Sequence, residues 1–248
     1  MTESNLKSHP DGYRDSNLKS QNYAIIVAGG SGTRMGAGVP KQFLLLNGKP
    51  VLMHTLDAFY HTAAQPRLIL VLPANYRSHW EQLCAEYDFH IPYYLADGGE
   101  SRFHSVKNAL DSIEESDDAL VAVHDAVRPV VDKRIIEESY RQAAKHGNAI
   151  TAIKSRDSVR QLKNDVSSSI DRNEIYLVQT PQTFKLSQLK KAYTQPYDNK
   201  FTDDASVVER AGMSINLIEG SYRNIKITFP EDIAIAEVIL KTRLGKWS

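Results

Sequence analysis

The chain has 248 residues, of which 42% are hydrophobic, and its 30 basic and 30 acidic side chains cancel to a formal net charge of zero. This length suits one large α/β domain or two small ones with a sizeable core. The charge balance argues against a general binder of nucleic acid or of membrane surfaces, so any phosphate site must be local. A single cysteine, Cys84, excludes an intramolecular disulfide framework and suits a reducing compartment.

The first 22 residues lack the apolar centre of a signal peptide and carry acidic residues that transit peptides avoid. No apolar run in the chain approaches the roughly 20 residues of a membrane span. We therefore expect a cytoplasmic protein with a mobile tail at residues 1–22 and one folded domain at residues 23–248.

Short apolar runs then alternate with helical patterns. Strands are predicted at 23–28, 67–73, 91–97 and 119–125, and helices at about 50–61, 105–116 and 132–147. This order predicts a Rossmann-like, doubly wound α/β fold with a mostly parallel sheet.

The alternation breaks over residues 149–184, where two β-type runs flank the polar connector KNDVSSS. Because the segment lacks the apolar periodicity of a crossover helix, we expect a protruding β-hairpin arm at about 151–176. A two-stranded arm is marginal by itself and would gain stability by packing on a partner chain. We therefore predict a homodimer with two-fold symmetry, formed through this arm.

Beyond the arm, the pattern alternates again. Helices are predicted at 186–195 and at 202–212, with Thr202 or Asp203 near the N-cap of the second helix and Gly212 at its end. Strands are predicted at 214–220 and 224–229, and a last helix begins at Pro230.

The loop GGSGTRMGAGVPKQF, residues 29–43, follows the first predicted strand and contains Arg34 and Lys41 as its only charges. Its glycines permit positive φ and close approach of the backbone to a ligand, and no carboxylate occurs between Asp15 and Asp57. The loop fits neither GxxxxGK[ST] nor GxGxxG. It is either a flexible surface turn or, as we favour, a phosphate cradle in which backbone N–H groups and the two cations hold a nucleotide.

These residues carry a family resemblance. The run from Ala24 to Leu56 resembles the opening of the sugar-nucleotide and alditol-phosphate nucleotidyltransferases, and its GxGxRMG…PKQF form is similar to the 2-C-methyl-D-erythritol 4-phosphate cytidylyltransferases of non-mevalonate isoprenoid synthesis. Further blocks resemble that family in order: DGGESRFHSV (97–106), VHDAVRP (123–129), DRNEIYLVQTPQTF (171–184), TDDASVVE (202–209) and NIKITFPEDIAIAE (224–237). The likeness covers residues 23–240.

The resemblance implies that a phosphate oxygen of 2-C-methyl-D-erythritol 4-phosphate attacks the α-phosphate of CTP and that pyrophosphate leaves. Both reactants are anionic, so neutralisation and alignment should dominate catalysis. The implied catalytic cations are Arg34, Lys41 and Lys226, and the implied nucleotide-binding positions are Ala28, Gly29, Gly30, Gly99, Glu100, Ser105 and Asp125. Position 100 is glutamate where relatives often carry aspartate, a change that a backbone contact would tolerate. For Gly99, a plain strand-to-helix turn is the alternative.

Asp125 ends a predicted strand, at the edge where open α/β sheets bind ligands. The resemblance places it near the nucleotide and its Mg²⁺, which triphosphate oxygens would chiefly hold, so we predict no firm protein metal site. His124 and Asp125 should point to opposite faces of the sheet, which argues against joint ligation. We expect structural roles for His124 and for Arg128, which would pair with an acid.

The resemblance assigns the second substrate to Ser158, Arg172 and Thr202, with Arg172 reaching from the partner's arm, so that activity would require the dimer. Relatives often have threonine where Ser158 stands. The alternative for Arg172 is a rim salt bridge worth ~0–1 kcal/mol.

Two other functions remain open. A ribitol 5-phosphate cytidylyltransferase would share the loop and HDAVRP, whereas IDRNEIYLVQTPQ and TDDAS favour the erythritol substrate. A nucleotide-binding module without turnover would be expected to lose the three cations. Enzymes that make molybdenum cofactor nucleotides resemble the chain only in the opening loop.

Overall fold

The computed structural model describes residues 22–29, 39–113 and 119–243. The strands are β1 (Asn22–Val27), β2 (Leu45–Leu46), β3 (Lys49–Pro50), β4 (Arg67–Leu72), β5 (Tyr94–Asp97), β6 (Leu120–Asp125), β7 (Asn148–Lys154), β8 (Val159–Lys163), β9 (Val166–Ile170), β10 (Tyr176–Lys185) and β11 (Leu217–Glu219). The α-helices are α1 (Val51–Tyr60), α2 (Arg77–Glu86), α3 (Arg102–Asp111), α4 (Lys133–His146), α5 (Leu186–Ala192), α6 (Asp204–Arg210) and α7 (Glu231–Arg243). Short 3₁₀ turns cover Lys41–Phe43, Ala74–Tyr76 and Arg172–Glu174.

Within the described ranges, the central sheet has seven strands in the order β11-β7-β10-β6-β1-β4-β5. Strands β11, β7, β6, β1, β4 and β5 run in one direction, and β10 runs antiparallel to both of its neighbours. The predicted α/β fold with a mostly parallel sheet is confirmed.

Helices cover both faces of this sheet because its central strands are apolar on both sides. In β1, Ala24 and Ile26 pack in one core with α1, α2 and α4, whereas Ile25 packs in a second core with α3, α5 and α6. Each fully buried isoleucine side chain contributes about 1.5–3 kcal/mol to the stability of the fold. The near-continuous apolar run of β1 therefore specifies a strand buried on both faces.

The order of the strands creates a crevice beside β1. The chain passes from β1 to β4 and β5 on one side and then returns to β6 on the other. In open α/β sheets, ligands bind outside the carboxyl ends of the strands at such a reversal. Ala28 and Gly29 follow β1, and Asp125 ends β6, so the fold brings these predicted site residues to the same edge.

The predicted strand at 224–229 is wrong. This segment is irregular, and it is held by the Ile227 N–H, which donates to the Val127 carbonyl at 2.9 Å. Ile225 and Ile227 pack in a third small core with Val130 and α7. Their alternation with polar residues reflects burial against a loop and a helix and does not indicate pairing in a sheet.

The sequence pattern also misplaces some boundaries. It predicts no element between residues 74 and 90, where α2 buries Trp80, and it starts the helix at 105 although α3 begins at Arg102 after the N-cap Ser101. Strand β5 begins at Tyr94 and not at residue 91, and β1 begins at Asn22, one residue inside the predicted tail. The rest of that tail, residues 1–21, lies outside the described residues.

The arm is a hairpin of β8 and β9 that forms its own two-stranded sheet. The strands meet at Asn164 and Asp165, whose φ angles are 49° and 61°. Two successive positive φ angles are typical of the two-residue turns that match the twist of a hairpin. The connector predicted at KNDVSSS is therefore too long, because Val166–Ile170 pair with Val159–Lys163.

Among the described helices, none has the length and apolar character needed to span a membrane.

Candidate active site

The centre of the candidate site is Asp125, which three cations surround. Lys226 Nζ lies 2.9 Å from Asp125 Oδ2, Arg128 Nε lies 3.4 Å from the same oxygen, and Arg102 Nε lies 3.7 Å from Oδ1. The Arg128 side chain also donates from Nη1 to the Asn224 carbonyl at 2.8 Å, which ties it to the segment that carries Lys226. The expected pairing of Arg128 with an acid is confirmed.

A second carboxylate, that of Asp204, also pairs with Arg102. Arg102 Nη2 donates to Asp204 Oδ2 at 2.6 Å, and the Tyr193 hydroxyl donates to Asp204 Oδ1 at 2.6 Å. The Asp204 side chain is fully buried, and its acceptors are thus used within the protein. Among the described residues of this cluster, three cations and two carboxylates leave one excess positive charge.

These charges keep the cluster ionised. Burial by itself would raise the pKa of Asp125, but Arg102, followed by Lys226 and Arg128, holds the pKa well below the usual range of a carboxyl group. Burial likewise opposes the charge of Arg102, and Asp204 with Asp125 nevertheless raises the pKa of the guanidinium. At neutral pH the cluster is a fixed array of charges that can receive an anion without prior proton transfer.

His124 lies on the other face of the sheet from Asp125, as expected for neighbouring residues of a strand. Its ring centroid is 4.8 Å from that of Phe59, and its Nε2 lies 3.2 Å from the Arg128 carbonyl. Burial lowers the pKa of His124 to about 3, so the ring is neutral at neutral pH. A structural role follows, because the Nε2–H group that donates to this carbonyl fixes the loop after β6.

Two of the predicted nucleotide-binding segments meet at Ser105. The buried Ser105 Oγ accepts the Gly99 N–H at 3.0 Å, and a Cβ on Gly29 would lie 3.2 Å from the same oxygen. A Cβ on Gly99 would lie 2.4 Å from His104 Cβ and 2.8 Å from the His104 carbonyl carbon, so this position requires glycine. Glu100 is exposed beside them. The backbone at 99–100 is therefore open to a ligand while Ser105 supports it from beneath.

Lys41 is held next to the end of β1. The neighbouring Gln42 is buried and donates from Nε2 to the Ala28 carbonyl at 2.9 Å. This bond fixes the 3₁₀ turn Lys41–Phe43 against the loop at Ala28 and Gly29. Arg34 and Gly30, which the sequence also assigns to this loop, lie outside the described residues.

The three residues predicted to bind the second substrate are all exposed and lie in two separate places. Thr202 directly precedes Asp203, the N-cap of α6, and its N–H donates to Ser206 Oγ at 3.1 Å. Ser158 precedes β8, and Arg172 follows β9 and donates from Nη1 to the Arg156 carbonyl at 3.0 Å. Across the described ranges, Ser158 and Arg172 make no contact with the Asp125 cluster of their own chain.

Sequence reasoning missed Arg102, Asp204 and Gln42. Each lies in a sequence block that was singled out for a different residue. A buried charged or amide side chain leaves no periodic pattern in the sequence by which it could be predicted. Weak signals were present: Arg102 follows the predicted turn at residues 98–99, and Asp204 is the second carboxylate of a pair at a helix start. Only the structure shows that Arg102 and Asp204, which are 102 residues apart, form one ion pair.

The carboxylate at this edge that would contact a Mg²⁺ ion held mainly by phosphate oxygens is Asp125, whose oxygens pair with Lys226, Arg128 and Arg102 in this structure. Among the described residues, no three His, Cys, Asp or Glu side chains gather as a metal-binding group. Asp125 is a single carboxylate at the crevice, and Mg²⁺ commonly takes only one or two carboxylates together with substrate phosphates.

The comparisons with known proteins show which family the chain belongs to. The family model described as 2-C-methyl-D-erythritol 4-phosphate cytidylyltransferase matches residues 23–242. The chain is 47% identical over 218 residues to a protein of that name from Phocaeicola vulgatus, covering 88% of this chain and 99% of the relative. It is 48% identical over 216 residues to one from Bacteroides thetaiotaomicron, covering 87% of this chain and 98% of the relative.

Solved structures give the same result. The 4-diphosphocytidyl-2C-methyl-D-erythritol synthase of Anaerococcus prevotii superposes with a TM-score of 0.76 at 26% identity and covers 89% of this chain and 96% of its own. The 2-C-methyl-D-erythritol 4-phosphate cytidylyltransferase of Francisella tularensis gives 0.74 at 34% identity, with 88% and 99% covered.

Proposed function

Because the chain belongs to the 2-C-methyl-D-erythritol 4-phosphate cytidylyltransferase family, we propose that its crevice condenses CTP with 2-C-methyl-D-erythritol 4-phosphate. The products are 4-diphosphocytidyl-2-C-methyl-D-erythritol and pyrophosphate. The observation that supports this site most directly is the array of Arg102, Arg128 and Lys226 around Asp125 at the reversal of the sheet. A cytoplasmic location stays part of the proposal and rests on Cys84, a buried free thiol.

In the proposed reaction, a phosphate oxygen of the acceptor attacks the α-phosphorus of CTP. The bond from that phosphorus to the β-phosphate oxygen breaks, and pyrophosphate leaves with the electron pair. Lys41 and Lys226, together with Arg34, would stabilise the negative charge that gathers around the α-phosphate. Lys226 suits this role because its side chain is 45% exposed while Asp125 orients its ammonium group.

The nucleotide would lie along the ends of β1 and β5. Gly99 and Glu100 are exposed, the Gly99 N–H is held by Ser105 Oγ, and Gly30 follows Ala28 and Gly29 in the sequence. When bound, Mg²⁺ would neutralise triphosphate oxygens, and Asp125 is the carboxylate of the cluster that would contact it.

We also propose that the chain works as a homodimer in which Arg172 reaches the site of its partner. In the arm, Leu162 and Val166 are about 70% exposed, and burying them against a second chain would stabilise the hairpin. Within one chain, Arg172 and Ser158 lie apart from the Asp125 cluster, so an acceptor contact by these residues requires a second copy.

The activity test measures pyrophosphate release from CTP and Mg²⁺ with either 2-C-methyl-D-erythritol 4-phosphate or ribitol 5-phosphate. We expect release with the erythritol phosphate, loss of release in Lys41→Ala, and normal release in the control Lys145→Ala, which removes an exposed lysine of α4. Release with ribitol 5-phosphate alone would contradict the proposed acceptor.

The dimer test mixes two variants whose turnover is strongly reduced but measurable, Arg172→Ala and Lys226→Ala. If Arg172 serves the partner's site, a mixed dimer contains one site with both residues intact, and activity returns on mixing. If Arg172 serves its own site, every site in the mixture lacks one residue and activity stays lost. Light scattering of the same samples establishes the subunit number.

A further inference from the structure

The segment QTPQ, residues Gln179 to Gln182, interrupts the pairing of β10 with β7. The register shifts between Val178 and Gln182, so the residues between them are released from the regular ladder. All the same, Gln179, Thr180 and Gln182 are buried. Buried amides and hydroxyls need hydrogen-bond partners, and the two glutamine side chains find most of theirs outside the sheet.

Gln179 reaches the irregular segment that precedes Lys226. Its Nε2 donates to the Ser221 carbonyl at 2.8 Å, and its Oε1 accepts the Ser221 N–H at 3.3 Å and Asn224 Nδ2 at 3.4 Å. Asn224 Nδ2 also donates to the Thr180 carbonyl at 2.8 Å. Residues 221–226 form no strand, so these bonds help to attach the segment to the sheet, together with the Tyr222 hydroxyl, which donates to the Lys154 carbonyl at 2.7 Å, and the Lys226–Asp125 pair.

The absence of a side chain at Gly220 makes room for the contact between Gln179 and residues 221–224. A Cβ at this position would lie 2.5 Å from Gln179 Oε1 and 2.9 Å from Thr151 Cγ2. The chain therefore leaves space at residue 220 for the Gln179 amide to approach.

Gln182 reaches in the other direction, to the start of α6. Its Nε2 donates to Asp203 Oδ2 at 2.9 Å, and its Oε1 accepts the Ala205 N–H at 2.9 Å. The N-cap residue Asp203 directly follows Thr202, so this amide fixes the turn that presents Thr202. Between the two glutamines, Thr180 Oγ1 accepts the Asp125 N–H at 3.1 Å.

We propose that Gln179 and Gln182 are positioning residues with separate tasks: Gln179 holds Lys226 for phosphoryl chemistry, and Gln182 holds Thr202 for the acceptor. This inference rests on the proposed function. One rigid segment thereby sets the spacing of the cation, the central carboxylate and the acceptor contact. A shift of about 1 Å in such a group can lower turnover by up to about 100-fold.

The test replaces each glutamine with methionine, which is similar in length and lacks the amide. Gln179→Met is expected to lower kcat about tenfold with little change in the KM for 2-C-methyl-D-erythritol 4-phosphate, whereas Gln182→Met raises that KM about tenfold with a smaller effect on kcat. The matched control is Gln195→Met, because Gln195 also bonds two backbone carbonyls, those of Ala192 and Val207, away from this segment.

Double variants distinguish positioning from general stability. In a Lys226→Ala background, Gln179→Met is expected to have almost no further effect, and in a Thr202→Ala background the same holds for Gln182→Met. Independent effects would add in the two backgrounds. Additive losses, or an equal loss of kcat in both glutamine variants and in the control, would overturn the proposal.

Two further variants guard against misfolding. Gly220→Ala pushes on the Gln179 amide from outside and is expected to reproduce the kcat defect, and Gln182→Glu keeps the acceptor for Ala205 but repels Asp203 and is expected to reproduce the KM defect. Normal kinetics in either folded variant would contradict the proposal. The wild type is assayed first, since absence of turnover there refutes the proposed function itself, whereas turnover with additive variants refutes only the positioning roles.

Discussion

Replacing Asp204 with asparagine tests whether the buried Arg102–Asp204 pair stabilises the candidate site. The change keeps the shape of the side chain but removes its charge. Arg102 loses its 2.6 Å partner and keeps Asp125 at 3.7 Å, while the Tyr193 hydroxyl keeps a neutral acceptor. A hydrogen bond to a charged group contributes about 1.5–3 kcal/mol, and removing one partner of a buried pair costs about 3–5 kcal/mol. Because Arg102 is 29% exposed and water can reach it, we expect a loss of about 3 kcal/mol.

The measurement is urea unfolding of the wild type and Asp204→Asn at neutral pH, with thermal melting as a second observable. For a domain of this size, 1 kcal/mol corresponds to about 2–4 °C, so the expected fall in Tm is about 6–12 °C.

The chain supplies a matched control in Asp97→Asn. The Arg77–Asp97 pair has the same 2.6 Å separation, and Arg77 is also 29% exposed, but the Asp97 side chain is 64% exposed. An exposed pair contributes about 0–1 kcal/mol, so this variant should unfold almost like the wild type. Equal losses in the two variants would refute the reasoning, because burial of the carboxylate is the main difference between the pairs.

Three further predictions concern the surroundings of the site. Burial lowers the pKa of His124 to about 3, so below about pH 6.5 the unfolded chain binds a proton that the folded chain does not. As the pH falls from 6.5 to 3, the wild type should therefore lose up to about 1.4 kcal/mol of stability per pH unit relative to His124→Gln. The same pH dependence of the unfolding free energy in both proteins, measured with urea, would contradict this. Gly99→Ala should weaken CTP binding at least about tenfold in calorimetry, since the new Cβ meets the backbone of His104, whereas Gly98→Ala should have a smaller effect. In the arm, Asp165→Val should destabilise the hairpin by about 1–2 kcal/mol and speed amide exchange in β8 and β9, and Asp165→Gly should not, because φ at this residue is 61°.

The central sheet was predictable because strands buried on both faces are recognisable as short apolar runs in the sequence. A strand such as β1 is an unbroken apolar run, and a helix such as α4 has Asp132 as its N-cap and Gly147 as its C-cap. The segment at 224–229 has the same apolar alternation without the sheet. Its isoleucines are buried against Val130 and α7, and a pattern of burial does not reveal whether the covering surface is a strand or a helix.

The site was predictable only where a residue is recognisable by itself. Lys226 and Asp125 stand out in short blocks, and the structure joins them at 2.9 Å. The groups that fix them do not stand out, because a buried amide such as Gln179 looks like any polar residue in a strand. Its importance arises from a gap in strand pairing and from its hydrogen bonds to an irregular segment 42 residues away. The charged residues proposed to contact the ligand can thus be predicted from the sequence. The residues that hold those charged groups in position are identified only from the structure.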